Sequence, residues 1–458
     1  MPCCIEMIFT PRNILFFLLL VLLAGCGKND KEQTATVLVS GDTAGWIVPC
    51  GCTSNQSGGL PRRGTLVEQR RQQGPVIAVE VGGASSGNTL YDKLKFEAIL
   101  QGEAVMGIAV HNIGHAEAMM GIEELRRLRE TWKTPWISAN TTDAAGNPLV
   151  EPTRLVELGK RKILFVGVLS QKFQTEDIRV TAPRQAVLKT LQKNAGNYDH
   201  AVVLAYVPED ELRELTENLP EVDAVVGGPT GQPVPPDYPQ GFVLMVSATK
   251  QGKFVAALTL PATQENHSRI RGEIIELNER FADDPAQLEN VKTFYATLKQ
   301  HDLSPKDTPF VDRNDFLPIS NAMQPIAGSK ACQTCHEEEY RVWENSRHAV
   351  AWQSLVHREA QYDPDCQRCH VTGYGQHGGF ETIAGSSERF NVGCESCHGG
   401  AAEHCKKDSI RPAFVQLAKE RCVKCHDREN SPKFDLDVYW EKIRHDVVVD
   451  DSVETENN

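Results

Sequence analysis

The chain has 458 residues, 40% of them hydrophobic and 24% charged, with a formal net charge of −13. That length allows two or three domains, and the balance is globular rather than disordered. The negative charge excludes the basic surface that a nucleic-acid binder needs, so no nucleic-acid partner is expected.

After Arg12 come eleven apolar residues, Ile14–Ala24. The run is too short to cross a bilayer and suits a signal-peptide core. It ends Leu23-Ala24-Gly25-Cys26, which resembles a bacterial lipobox. That resemblance implies cleavage after residue 25 and lipidation of Cys26. The expectation is an exported lipoprotein, held to a membrane by its lipid and facing the periplasm or the cell exterior. Residues 27–35 read as a polar tether.

From there β-branched runs alternate with helical patterns. The strand-like runs are Thr34–Ser40, Val76–Val81, Trp136–Ala139, Lys162–Val168, Ala201–Ala205, Val222–Val226, Phe242–Ser247 and Phe254–Leu260. Thr65–Gln73, Leu90–Met106 and Gly121–Lys133 have helical periodicity. Alternation of this kind predicts an α/β layered domain over 36–262.

The short motifs between Thr36 and Pro261 resemble those of the metallophosphoesterase domain of periplasmic nucleotidases. Gly41-Asp42-Thr43-Ala44-Gly45 follows the first strand, then Gly58-Gly59-Leu60-Pro61-Arg62-Arg63 and Gly82-Gly83. Gly114-His115-Ala116-Glu117, Ala205-Tyr206 and Gly227-Gly228-Pro229-Thr230-Gly231 complete the order. The framework glycines match that family. Its metal ligands and catalytic histidines are replaced by Ala44, Gly83, Ala116, Tyr206, Pro229 and Gly231. His115 stands for a metal-binding asparagine, and Asp42 alone is kept. A two-metal site needs several converging Asp, His and Asn side chains. The resemblance therefore implies the fold and argues against the hydrolase. Asp42 is expected to cap a turn or helix, and His111 and His115 to be partly buried, hydrogen-bonded histidines. Cys50-Gly51-Cys52 is open among a strained, labile disulfide, a soft-metal site and two ordinary thiols.

Residues 263–328 read as a polar linker with one amphipathic helix, about Pro285–Leu303, and a proline-containing connection at Asn314–Pro325. From Ser329 onward strand signals vanish, and residues 329–448 carry dense cysteine and histidine before an acidic tail, 449–458.

Four times in this region two cysteines flank two residues and a histidine follows at once. The sets are Cys332, Cys335, His336; Cys366, Cys369, His370; Cys394, Cys397, His398; and Cys422, Cys425, His426. This is the attachment signature of c-type haem. Two intervening residues let both sulfurs form thioethers at one porphyrin edge, and the adjacent histidine takes an axial position on iron. Paired CxxC units also build zinc ribbons, but zinc does not require a histidine at this place in all four copies. Four covalently attached c-type haems in a mainly α, haem-packed domain are expected. The porphyrins must supply much of the buried apolar area, so the region without haem is expected to be unfolded.

The second axial ligands must come from other histidines: His348, His357, His377, His404 or His445. Here the chain resembles the tetrahaem cytochromes of nitrifying bacteria. The likeness rests on Trp343-Glu-Asn-Ser346-Arg-His348, on Glu395-Ser396-Cys397-His398-Gly399 followed by His404, and on Phe434 followed by His445. It implies His348, His404 and His445 as distal ligands, with one haem face open unless His357 or His377 closes it. Cys405 reads as a free or packing thiol. The expected role is electron transfer with redox partner proteins, no residue being assigned to catalysis, and the N-terminal domain is a docking, sensing or scaffold module. The rivals are an enzyme acting on a small nitrogen or oxygen species at an open haem, and a working phosphoesterase.

Overall fold

The computed structural model describes residues 35–49, 56–239, 241–261, 269–310, 324–412, 418–427 and 430–445. Cys26, Cys50, Cys52 and the acidic tail lie outside the described residues. Among the described residues no helix is long and apolar enough to cross a membrane.

The N-terminal region is built on two six-stranded sheets. In the first the strand order is Arg271–Glu276, Phe254–Leu260, Ala35–Ser40, Val76–Glu80, Ile108–Asn112, Trp136–Ile137. The last four run parallel, and helices Leu60–Gln73 and Leu90–Met106 provide the crossovers that parallel pairing requires. In the second sheet the order is Val234–Asp237, Leu244–Ser247, Ala224–Gly228, His200–Tyr206, Arg161–Leu169, Thr153–Leu158.

The alternation of side chains explains the layers. Along Arg161–Leu169, Ile163 and Phe165 enter the core shared with the first sheet. Leu164, Val166 and Val168 enter a second core under helices Pro183–Lys193 and Glu209–Glu217. A strand covered on both faces must be apolar throughout, and these central strands are.

Among the strands that escaped the sequence reading, Thr153–Leu158 and Val234–Asp237 are edges, whereas Ile108–Asn112 is a central strand whose run ends in the polar His111 and Asn112. Thr153–Leu158 is largely polar and exposed, and Val234–Asp237 contains Pro235 and Pro236, which only an edge tolerates. The linker assignment over 263–328 also needs correction. Strand Arg271–Glu276 pairs with Phe254–Leu260 in the first sheet. Helix Pro285–His301 buries Val291, Phe294 and Leu298 in the main core. Its Gln287 and Asn290 side chains donate to the Gly102 and Ala98 carbonyls at 2.9 and 2.8 Å. These buried amides diluted the apolar stripe that would have marked the helix as part of the domain.

The C-terminal region consists of short helices, among them Glu337–Glu344, Ala351–Val356, Pro364–His370 and Cys394–His398. Its buried apolar cluster is small: Trp352, Leu355, Val371 and Phe380, with Phe390 stacked 4.0 Å from Trp352. The region docks on the N-terminal domain through polar contacts. The Asp302 carboxylate accepts from the Ile383 and Ala384 amides at 3.0 Å each. The Tyr91 hydroxyl donates to Asp363, and Lys95 pairs with Asp365 at 3.4 Å.

Candidate functional site

Each Cys-x-x-Cys-His run is wound into a single helical turn. In the first and fourth, the histidine amide donates to the carbonyl of the leading cysteine, His336 to Cys332 and His426 to Cys422, both at 2.9 Å. The second and third lie on helices Pro364–His370 and Cys394–His398. Residues three and four apart share a helix face, so this winding puts both sulfurs and the imidazole on one side.

The rings of the motif histidines then meet histidines from elsewhere. His336 faces His404 with centroids 6.1 Å apart, His426 faces His348 at 6.2 Å, and His398 faces His445 at 5.7 Å. Metal–imidazole bonds of about 2 Å on either side of one ion, with about 1 Å from nitrogen to ring centre, separate two ring centroids by about 6 Å. The Nδ1 atoms of His404 and His445 are buried without a hydrogen-bond partner among the described residues. A buried polar atom left unpaired is costly and marks a place for a further group. Burial lowers the pKa of His348, His370, His398 and His426, which keeps their imidazoles neutral and able to donate a lone pair. This donor set fits a haem group.

His370 differs. Its Nδ1 donates to the Ala351 carbonyl at 2.8 Å, with Ser354 Oγ at 3.3 Å, which leaves Nε2 as the metal-facing atom. Among the described residues no imidazole stacks opposite it. His357 and His377 are both exposed, and His357 lies 3.5 Å from the Gln353 side-chain nitrogen. His426 is oriented by Ser431 Oγ at 2.9 Å from its Nδ1.

The runs that carry the family likeness have visible mechanical roles. Trp343 Nε1 donates to the Val392 carbonyl at 2.8 Å, Ser346 Oγ donates to the Trp343 carbonyl at 2.6 Å, and the Val392 amide donates to the His348 carbonyl at 3.1 Å. His348 is thereby pinned beside the third motif. Glu395 was quoted in the sequence only as part of a motif. Its buried carboxylate accepts from the amides of Ala327, Gly328 and Ala401 at 2.7, 2.6 and 2.8 Å. It ties the entry of the first motif to the third, where the Cys394 amide also donates to Ser329 Oγ at 3.1 Å. Cys332 lies beside Cys394, and Cys369 beside Cys425, closely enough for each thiol to affect the ionisation of its neighbour. Cys405 is exposed.

In the N-terminal domain the loops after the first-sheet strands converge on a closed polar knot. Glu117 is fully buried and accepts from the amides of Gly83, Ala84 and Gly114 at 3.0, 2.7 and 3.1 Å. His111 is fully buried between Glu103, at 2.8 Å, and Glu117, at 3.5 Å. Arg63 pairs with Glu80 at 3.0 Å and donates to Thr43 at 2.8 Å. Asp42 does not cap a helix. It accepts from the Tyr206 hydroxyl at 3.2 Å, because its left-handed backbone, φ 50°, turns the carboxylate inward. Burial pushes that carboxyl up to about 6; the Tyr206 hydrogen bond opposes the rise and the Glu117 charge adds to it. A Cβ placed on Gly83 would lie 2.5 Å from Tyr206 Cε2, so the tyrosine ring fills the space into which a larger residue at 83 would project. His115 is half-buried and stacks 4.7 Å from Phe173. Among the described residues no three His, Cys, Asp or Glu side chains converge to hold a metal ion.

Residues 331–399 match the family model described as cytochrome c554 and c-prime. The chain is 34% identical over 142 residues to cytochrome c-554 of Nitrosomonas europaea, covering 24% of this chain and 60% of that protein. It is 26% identical over 208 residues to a 2',3'-cyclic-nucleotide 2'-phosphodiesterase/3'-nucleotidase of Yersinia enterocolitica, covering 37% of this chain and 32% of that protein. The chain thus spans less than two thirds of either relative. A 5'-nucleotidase precursor from Thermus thermophilus superposes with a TM-score of 0.51 at 19% identity, over 58% of this chain and 59% of that one. A calcineurin-like phosphoesterase from Bacillus subtilis superposes with a TM-score of 0.50 at 15% identity, over 58% of this chain and 97% of that one. The N-terminal region therefore has the α/β metallophosphoesterase-like fold, and the C-terminal helical region carries a cytochrome c554 domain.

Proposed function

We propose that the protein is an exported, lipid-anchored electron carrier with four covalent c-type haems, attached through the four Cys-x-x-Cys-His motifs. Three irons take two histidines each: His336 with His404, His398 with His445, and His426 with His348. The fourth takes His370 alone. The observation that carries this reading is the set of three imidazole pairs 5.7–6.2 Å apart beside an unpaired His370. When bound, c-type haem supplies a one-electron couple. The chain's own residues attach it, supply its axial nitrogens, hold His370 in one tautomer through Ala351, and keep the motifs close together. Its redox partners are other proteins, and its lipid is on Cys26, so Cys26→Ser releases it from membranes.

The N-terminal domain is a scaffold that has lost the metal site of its fold. Support comes from Tyr206, which packs over Gly83 and holds Asp42, the one acidic ligand position kept. A second reading, chemistry on a small nitrogen or oxygen species, is favoured at His370 by the missing opposite imidazole. Mass spectrometry of the mature chain should show four haems. Electron paramagnetic resonance should show three low-spin irons and one high-spin iron, and carbon monoxide should bind one haem in four. Four low-spin irons with no gas binding would remove the second reading and leave electron transfer alone.

A further inference from the structure

The second motif lies at the junction of the two domains. Helix Pro364–His370 starts at Asp363, whose side chain accepts from the Asp365 amide at 3.0 Å. Two carboxylates therefore stand immediately before Cys366. Asp363 is 7% exposed. Asp365 is bound on one side by Arg368 of its own helix, at 2.9 Å. On the other side it meets Lys95 of the N-terminal domain, at 3.4 Å, whose side chain is only 12% exposed. Tyr91 and Lys95 are one turn apart on helix Leu90–Met106, so they share a face. Tyr91 donates to Asp363, and the Lys95 ammonium lies 4.5 Å from the centre of the Tyr91 ring. The N-terminal domain thus contributes one partly buried cation to a motif that carries two carboxylates and one arginine of its own.

We infer that Lys95 raises the reduction potential of the haem at Cys366, Cys369 and His370, so that the N-terminal domain tunes one redox centre of the cytochrome region. The inference rests on the reading that these residues hold a haem. The ferric form carries one more positive charge than the ferrous form. A nearby cation disfavours ferric iron, and partly buried charges are screened little by salt. Removing Lys95 leaves one more net negative charge at the junction, whatever the state of Asp363. Removing the Asp365 charge has the opposite effect.

The test is a redox titration of the full, haem-loaded chain, followed by electron paramagnetic resonance so that the high-spin haem is read separately. Lys95→Gln should raise the ferric-to-ferrous ratio of one haem roughly three- to tenfold at fixed potential, tenfold being about 59 mV for a one-electron couple. Asp365→Asn should shift the same haem the other way. Lys95→Arg should restore the native value, and Tyr91→Phe, which removes a hydrogen bond but no charge, should leave it in place. A clamp that only holds the domains together would give shifts of one sign, or none, for both charge variants, and that result overturns the inference. A peptide cut at Glu359 and Glu381, which spans Cys366–His370, without haem mass overturns the underlying reading instead. Haem present with unmoved potentials overturns the inference alone.

Discussion

His348 faces His426 across 6.2 Å, although the first follows the opening motif and the second belongs to the last. The same crossing recurs: His404 follows the third motif and faces the first, and His445 follows the fourth and faces the third. No motif is paired with the histidine that next follows it in the chain.

Replacing His348, His404 or His445 by alanine should therefore change a haem attached elsewhere in the sequence. Each variant should convert one low-spin iron to high-spin and raise gas binding from about one to about two haems per chain. Covalent haem content should stay unchanged, because the thioethers use other residues. A spectrum identical to that of the native protein would sink the pairing for that histidine.

Glu395 should matter for assembly rather than for redox chemistry. Its carboxylate satisfies three backbone amides between the first and third motifs. Hydrogen bonds to a charged group contribute about 1.5–3 kcal/mol each, and a buried amide left without a partner costs about 1–3 kcal/mol. Glu395→Ala should lower the unfolding midpoint of the haem-loaded region by several degrees, with Glu395→Gln intermediate. Thermal unfolding followed at the haem absorption band checks this; equal midpoints would refute it.

Gly83 has φ 74°, and a side chain there would strike Tyr206. Gly83→Asp should destabilise the N-terminal domain by about 2–4 kcal/mol, part steric and part backbone strain. Adding Tyr206→Ala should recover the steric part only. Calorimetry of the full chain separates the two, and an unchanged midpoint for Gly83→Asp would show that the ring yields freely.

Asp42 gives a pH dependence of fixed sign. Burial holds its folded pKa at about 6, above the ordinary carboxylate value of 3.8. The folded state therefore binds the proton more tightly than the unfolded state. This contribution is full below pH 4 and is lost as pH rises through 6. Asp42→Asn should become stabilising relative to the native chain between those limits, by at most about 3 kcal/mol. Paired unfolding curves at pH 4 and 7.5 test it, and a difference that shrinks with rising pH would reverse the assignment.

The sequence was most legible where chemistry imposes spacing. The four Cys-x-x-Cys-His runs and the contexts of His348, His404 and His445 could be read directly, and the structure brings these histidines into facing pairs. Central strands such as His200–Tyr206 were legible because burial on both faces demands an unbroken apolar run. The edges Thr153–Leu158 and Val234–Asp237 satisfy no such demand and were not legible, and neither was central Ile108–Asn112, whose five residues end in His111 and Asn112. Helix Pro285–His301 passed for a linker because part of its buried face is Gln287 and Asn290, whose carbonyl partners lie far away in the chain. Tyr91, Lys95 and Glu395 had no signal of their own. Their roles depend on which domain lies opposite, and a single charged residue in a helix does not announce a distant partner.

The crossed pairing of the histidines also bears on the order in which the chain can be finished. Synthesis from the amino end makes Cys332, Cys335 and His336 well before His404, which faces His336. The third motif waits for His445, which follows the fourth motif, and His348 waits for the fourth motif itself. Until its partner histidine is made, each of these motifs lacks one imidazole of its pair. A chain interrupted after His426 would have its sulfurs in place and still lack the imidazole that faces His398. Completion is therefore a property of the whole region rather than of any one motif.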